Sequence, residues 1–365
     1  MVKAMQCTRA VPLASSSPAL PAEYVFLSGA PANGARRMIV GDSFDQPRFM
    51  LEGTGSYLSF MPELRARGRT LWLSHAMNPF QLTLPRVPLV NYMADPDLYP
   101  LALAKAETIA RQASGAIFNH PTAILRTRRD VSARILATIP GVRTPRTLRL
   151  SAPTRGRLIE AIMTSGLDFP LLIRPAGLHG GEHMVRLDSL AELEAAHIRL
   201  GVDDAIYASE FVDFADPDGR YRKLRLVVIG EQVLWRHLII GERWLLHSDG
   251  RAEGVEDEER AALARFETET LPALAPTLAA IRAAVGLDHF GIDCSLRPNG
   301  ELLVFEANAC MNLLDNSTIP PPNMWEAPIA AIRAALLALL ERPDQWLNQA
   351  AARPGRRAEL LLRAS

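Results

Sequence analysis

Three oxygen-bearing side chains fall close together late in the chain. They are Asp293, Glu306 and Asn308, in GIDCSLRPNGELLVFEANACMN from Gly291 to Asn312. Between them, Arg297-Pro298-Asn299-Gly300 has the composition of a turn. The flanks HFGIDCSL and ELLVFEANA are apolar-rich and read as two strands of a hairpin. Glu306 and Asn308 are two residues apart and share a strand face. A two- or four-residue connection brings Asp293 to that face; a three-residue connection does not, unless a bulge restores the phase. Two carboxylates and an amide oxygen converging in an apolar sheet repel one another without a cation. Mg²⁺ takes oxygen ligands and commonly shares them with substrate phosphates. The same residues would also suit two acids on a solvated strand face.

Further upstream, the strand-like PLLIRP carries Arg174 and is followed by Ala176-Gly177-Leu178-His179-Gly180-Gly181-Glu182-His183. Glycines in such a loop let backbone N–H groups approach a polyphosphate, and a fixed cation beside it can hold one. The loop lacks the Gly-Lys-Ser/Thr of a Walker A motif and the dinucleotide fingerprint. Ser209-Glu210-Phe211-Val212-Asp213-Phe214 ends an apolar strand with an acid and free backbone groups, which suits an adenine edge. In Tyr221-Arg222-Lys223-Leu224-Arg225, Lys223 and Arg225 share one strand face and Arg222 takes the other. Paired cations on one face suit an anionic ligand. Taken singly, these pieces also read as a plain turn, an edge arginine and ordinary surface charge.

Composition narrows the setting. The chain of 365 residues suits two or three lobes, and its formal net charge of zero gives no sign of nucleic acid or anionic membrane as a partner. No apolar run reaches transmembrane length. The first 24 residues have no continuous apolar core and read as a loose leader, not a secretory signal. Cys7, Cys294 and Cys310 have no metal-ligand spacing, which fits free thiols in a reducing cytoplasm. Lysine occurs only at Lys3, Lys105 and Lys223, against 37 arginines, so cationic roles fall largely on arginine.

The elements that must position these residues read as α/β. YVFLSG, RFMLEG, TLWLSH and PLVNYM are short apolar runs, and residues 98–113 have helical spacing, as in a small α/β lobe with parallel strands. Residues 131–150 read as a helix stopped by Pro140-Gly141, then a strand. Helices are expected over 158–166, 189–200, 256–285 and 326–343, with strands in AIYASEFVDF and LRLVVIGEQVLWRHLII.

The order of these pieces resembles the ATP-grasp superfamily over roughly Asn119 to Asn312. That resemblance implies an N-terminal Rossmann-like pre-ATP-grasp lobe (1–120), a central lid lobe (121–212), a C-terminal lobe with the Mg site (213–345) and a tail (346–365). It implies ATP and one or two Mg²⁺ ions held by Asp293, Glu306 and Asn308. Gly177 to Gly181 would cover the phosphates, with Gly180 and Gly181 against them. Glu210, Phe211 and Val212 would meet the adenine, and Arg225 with Lys223 the phosphates or acyl-phosphate. The stretch VLWRHLIIGERWLLH is similar to a little-characterised subgroup, with His237, Trp244 and His247 on the substrate side.

The chain departs from the family where lysines flank the lid sheet. One position is Arg174, and the other falls near Arg128-Arg129-Asp130, with Arg129 the cofactor-side candidate. Arginine keeps the charge and binds phosphate in a forked geometry. Phosphoryl positioning needs no proton from it. The implied reaction joins a small-molecule carboxylate to an amine, amino acids or a peptide among them, through an acyl-phosphate that releases ADP and phosphate. Arg225, Lys223 and Arg174 would then be the catalytic cations. The alternatives are a small-molecule kinase and a nucleotide-binding module without turnover. A homodimer is the default expectation for a soluble enzyme.

Overall fold

The computed structural model describes residues 23–34, 36–39, 48–55, 57–82, 84, 86–151, 154–246, 250–316 and 322–348. All but the last two residues of the expected leader, His247 and most of the C-terminal tail lie outside the described residues.

The N-terminal lobe runs β1 (Tyr24–Ser28), β2 (Arg36–Ile39), β3 (Arg48–Leu51), α1 (Tyr57–Phe60), α2 (Pro62–Ala66), β4 (Gly68–Trp72), β5 (Leu89–Asn91), α3 (Pro100–Gln112), β6 (Ile117–Phe118) and α4 (Pro121–Arg126). Its main sheet is parallel, in the order β4-β1-β5-β6, and β2 pairs antiparallel with β3. β1 is YVFLS, buried throughout, because a parallel strand covered on both faces needs a continuous apolar run. α3 opens on Pro100 and buries Ala102, Leu103, Ala106, Ile109 and Ala110, one stripe at helical spacing.

The middle of the chain holds α5 (Arg129–Leu136), β7 (Val142–Arg143), β8 (Thr147–Ser151), α6 (Arg155–Ser165), β9 (Leu171–Pro175), β10 (Val185–Leu187), α7 (Leu190–Ala195) and β11 (Ala205–Glu210). Strands β10-β9-β11-β8 form an antiparallel sheet. Leu158 and Ile162 of α6 and Leu193 of α7 pack on Leu171, Ile173 and Ile206. The helix expected over 189–200 stops at Ala195. Arg155 donates to the Ala196 carbonyl at 2.9 Å, and Ala196 and Ile198 pack on the same core from an extended segment. Tertiary packing overrides helical propensity there.

The last part holds β12 (Tyr221–Ile229), β13 (Gln232–Gly241), α8 (Glu256–Arg265), α9 (Leu271–Val285), β14 (His289–Leu296), β15 (Leu302–Asn308) and α10 (Glu326–Leu340). The sheet order is β13-β12-β14-β15-β7. β7, which lies within the range expected for the lid, therefore pairs with the C-terminal sheet. The helix expected over 256–285 is broken by a π-helical turn, Phe266–Thr270. Pro272 lies just beyond it; proline has no N–H to donate to the preceding turn's carbonyl, and its ring crowds that carbonyl in an ordinary α-ladder. At the start of the expected tail, Trp346 is buried edge-on against Phe118, and the Ile117 N–H donates to the Asn348 carbonyl at 2.9 Å.

Polar contacts couple the lobes. Asn119 exchanges two hydrogen bonds with the His289 backbone, each 2.9 Å, and its own N–H donates to Asp288 at 2.7 Å. Asp97 of the N-terminal lobe accepts from Arg149 Nε at 3.0 Å and from the Tyr207 hydroxyl at 2.5 Å, both on the middle sheet. The α/β class expected from the sequence is the class the structure has. Among the described residues no helix is long and apolar enough to cross a membrane.

Candidate active site

A cleft opens between the middle antiparallel sheet and the C-terminal sheet. Its walls include Arg129, Arg174, Gly180, Gly181, Glu210, Phe211, Val212, Lys223, Arg225, Trp244, Asp293, Glu306 and Asn308. These residues come from five strands, one helix start and three loops, far apart in sequence.

The acidic face is built by an irregular hairpin. In the β14–β15 ladder Cys294 pairs with Val304, but Asp293 pairs with Glu306 and Gly291 with Asn308. Phe305 is the extra residue, a bulge that changes the phase of β15. Five residues, 297–301, connect the strands, longer than the two to four considered from the sequence. The bulge is what turns Glu306 and Asn308 to the face of Asp293.

Each carboxylate meets an arginine. Arg225 on β12 stands opposite Asp293 and grips it with two hydrogen bonds, 2.6 and 2.7 Å, while Lys223 Nζ lies 3.8 Å away. Burial works to raise the Asp293 carboxyl, but Arg225 and Lys223 hold it well below the usual carboxylate range. Glu306 pairs with Arg129 at the start of α5. Burial again acts upward, but Arg129, Arg174 and His179 together outweigh it, so Glu306 too is lowered. Its Oε2, sealed from solvent, is the atom that faces Arg129. Asn308 Oδ1 accepts from the Cys310 N–H at 3.1 Å and thiol at 3.2 Å. Two carboxylates and an amide oxygen on one face form a hard donor set that fits Mg²⁺.

Arg174 differs from the other cations. It lies on β9, opposite Tyr207 in the sheet, and donates to the Leu178 carbonyl of its own glycine loop. Its Nε is buried without a partner. Burial and the like charge of Arg129 pull its guanidinium down to about 10. A buried cation without a carboxylate partner is costly, and an anionic ligand relieves that cost. Around the acidic face, Arg129, Arg174, Lys223 and Arg225 set four cations against two carboxylates, Asp293 and Glu306. Arg222, on the opposite face of β12, is spent on Asp216, Asp218 and Glu258.

At the rear, Glu210 accepts from Arg143 at 3.0 Å and from the Arg146 N–H at 3.3 Å. The Phe211 N–H is already donated to Pro170 at 3.0 Å. Trp244 packs edge-on against Phe211, ring centroids 5.6 Å apart, at this end of the cleft. The Lys223 ammonium donates to the Leu246 carbonyl at 2.5 Å, tying the segment after β13 to the cation strand.

His237 does not line the cleft. It is buried on β13 beside Arg225, its ring against Trp325, and burial together with Arg225 and Arg236 holds its imidazole well below its usual range, so it is neutral. Sequence reasoning also passed over Arg236, which donates to the carbonyls of Leu313 and Asp315 at 2.8 Å each. Asp95, whose Oδ2 lies 2.7 Å from His179 Nε2, was passed over as well.

No family model matches the chain, and no curated protein matches it. Among solved structures it is similar to the VanG D-Ala:D-Ser ligase from Enterococcus faecalis, at 14% identity and a TM-score of 0.47, over 87% of this chain and 98% of that one. It is also similar to the ATP-grasp ligase PsnB in complex with a minimal precursor, at 15% identity and a TM-score of 0.43, over 87% of this chain and 99% of that one. A third is a RimK domain ATP-grasp protein from Sphaerobacter thermophilus, at 13% identity and a TM-score of 0.43, over 87% and 98%. At such identities and scores no residue's role transfers, and the functional reading rests on the cleft's own residues.

Proposed function

We propose that the protein is an ATP-dependent carboxylate–amine ligase that activates a carboxylate as an acyl-phosphate and forms an amide. The observation that carries this reading is the joining, in one cleft, of a three-oxygen acidic face with four buried or half-buried cations. A triphosphate and a second anion brought side by side repel, and fixed cations offset that repulsion. A kinase acting on an alcohol has less need of the surplus.

In this reading Asp293, Glu306 and Asn308 hold Mg²⁺, which supplies charge neutralisation on the phosphates. Arg174 and Arg129 hold the phosphate end of ATP, and Gly180 and Gly181 let the backbone approach it closely. Glu210 and Val212 meet the adenine edge, since the Phe211 N–H is already occupied. Lys223 and Arg225 orient the acceptor carboxylate and stabilise charge on the tetrahedral intermediate. Closure of the glycine loop excludes water that would hydrolyse the acyl-phosphate. Amino acids or a peptide are the substrate classes to screen first.

The test is ADP release across a panel of carboxylates with ATP and Mg²⁺, with hydroxylamine as the acceptor. The ligase reading expects ADP and a hydroxamate with the correct acid. ADP with a stable phosphorylated product unreactive to hydroxylamine would establish a kinase instead. Nucleotide binding without ADP across the whole panel would favour a module without turnover.

A further inference from the structure

A second cluster lies beside the phosphate end, and the ligase reading makes no use of it. Asp95 follows β5 in the N-terminal lobe, His179 sits in the glycine loop, and Cys310 lies two residues beyond Asn308. One ligand atom from each lies within 4.8 Å of the others. We infer that these three residues form a binding site for a thiophilic divalent cation of the zinc type, which ties the glycine loop to the N-terminal lobe.

The donors are prepared to different degrees. Asp95 is buried, and its Oδ1 is fixed by the N–H groups of Asp97 at 2.7 Å and Leu98 at 3.2 Å. That leaves Oδ2 facing His179 Nε2 at 2.7 Å. Yet Nε2 makes no aligned hydrogen bond and is sealed from solvent. The imidazole and the carboxylate thus already face each other, and an ion between them would exchange that contact for two metal bonds. The Cys310 thiol makes a weak contact with the Asn308 amide oxygen, at 3.2 Å.

Zinc bonds of about 2.0–2.3 Å in a tetrahedron place ligand atoms about 3.3–3.8 Å apart. The cluster reaches that spacing with shifts of about an ångström, which a half-exposed loop residue such as His179 can supply. Thiolate, imidazole and carboxylate together select zinc-like ions, whereas the all-oxygen face of Asp293, Glu306 and Asn308 suits Mg²⁺. Three protein ligands leave a fourth position open. Because Asp95 and His179 come from different lobes, an ion held between them would tie the loop to the N-terminal lobe. The inference stands on this geometry alone and does not depend on the reaction type.

The experiment titrates the reduced full-length chain with Co²⁺, whose bond to a thiolate gives a near-ultraviolet charge-transfer absorption, and then displaces it with Zn²⁺. One Co²⁺ per chain should bind with that absorption, Zn²⁺ should displace it, and a large excess of Mg²⁺ should not. Cys310→Ser should abolish the absorption, and His179→Gln and Asp95→Asn should each weaken binding at least tenfold. Zn²⁺ should also slow proteolysis of the glycine loop in the wild type but not in His179→Gln. His179 is half-exposed, so His179→Gln decides the matter even if a variant at Cys310 folds poorly. No charge-transfer absorption in the wild type, absorption surviving Cys310→Ser, or wild-type affinity in His179→Gln would each overturn the site.

Discussion

Asp293 and Glu306 stand directly opposite each other because Phe305 is bulged out of the β14–β15 ladder. Each is then held by a different arginine, Asp293 by Arg225 and Glu306 by Arg129. The acidic face is thus neutralised from two sides, and each side belongs to a different part of the chain.

Replacing Glu306 by Gln removes one carboxylate from that face while keeping its shape. Turnover of Mg-ATP should fall by more than the about 10–100-fold typical of losing an outer-shell partner. The fold should survive, because an amide oxygen still faces Arg129. Steady-state ADP release and circular dichroism check this; wild-type turnover in Glu306→Gln would remove Glu306 from the metal site.

The same pair predicts a dependence of stability on pH. The Glu306 carboxyl is lowered in the folded protein, so its contribution to stability is present above its unfolded value and is lost as pH falls through the folded one. The difference in Tm between wild type and Glu306→Gln should therefore be largest near neutrality. It should shrink below about pH 4, where the unfolded carboxyl takes up its proton. A difference that stays constant down to the acid limit of folding would mean that Arg129 does not stabilise the charged form.

Arg174 tests the phosphate end separately from folding. Arg174→Ala should raise the apparent KM for ATP at least tenfold, about 1.4 kcal/mol. Because Arg174 has no carboxylate partner, the same change should leave Tm unchanged or raise it. Arg174→Lys should keep measurable activity. Calorimetry showing wild-type ATP affinity in Arg174→Ala would exclude it as a phosphate ligand.

The lobe contact through Asp97 is independent of nucleotide. Tyr207→Phe removes a donor from a buried carboxylate, leaving only Arg149 from the middle sheet. A hydrogen bond to a charged group contributes about 1.5–3 kcal/mol. Denaturant unfolding should show a loss of that order, and no loss would mean the contact is replaced by solvent.

Much of this arrangement could be read from local pattern. Glu306 and Asn308 share a face because strands have a period of two, and Arg222 parts from Lys223 and Arg225 for the same reason. The need for a bulge could be stated, but not its position: Phe305 is an apolar residue among apolar residues, and its packing against Phe214, ring centroids 4.8 Å apart, is a tertiary fact. The helix ending at Ala195 rather than Leu200, and the π turn before Pro272, likewise depend on what packs where. The pairings Arg129–Glu306 and Asp95–His179 join residues far apart in the chain, and no local spacing announces them. His237 had the right residue type in a suggestive motif, yet the strand buries it behind Arg225.

The central claim is that a carboxylate is activated by phosphorylation, and Lys223 and Arg225 are assigned to hold it. Arg225→Ala is a poor probe alone, because stripping one partner from a buried pair costs about 3–5 kcal/mol and can unfold the site. Oxygen transfer asks the question of the intact protein. With the acid that supports ADP release, labelled with heavy oxygen in its carboxylate, and an amine acceptor, the account predicts one labelled oxygen in each phosphate released. Unlabelled phosphate, with the label retained wholly in the organic product, would contradict it.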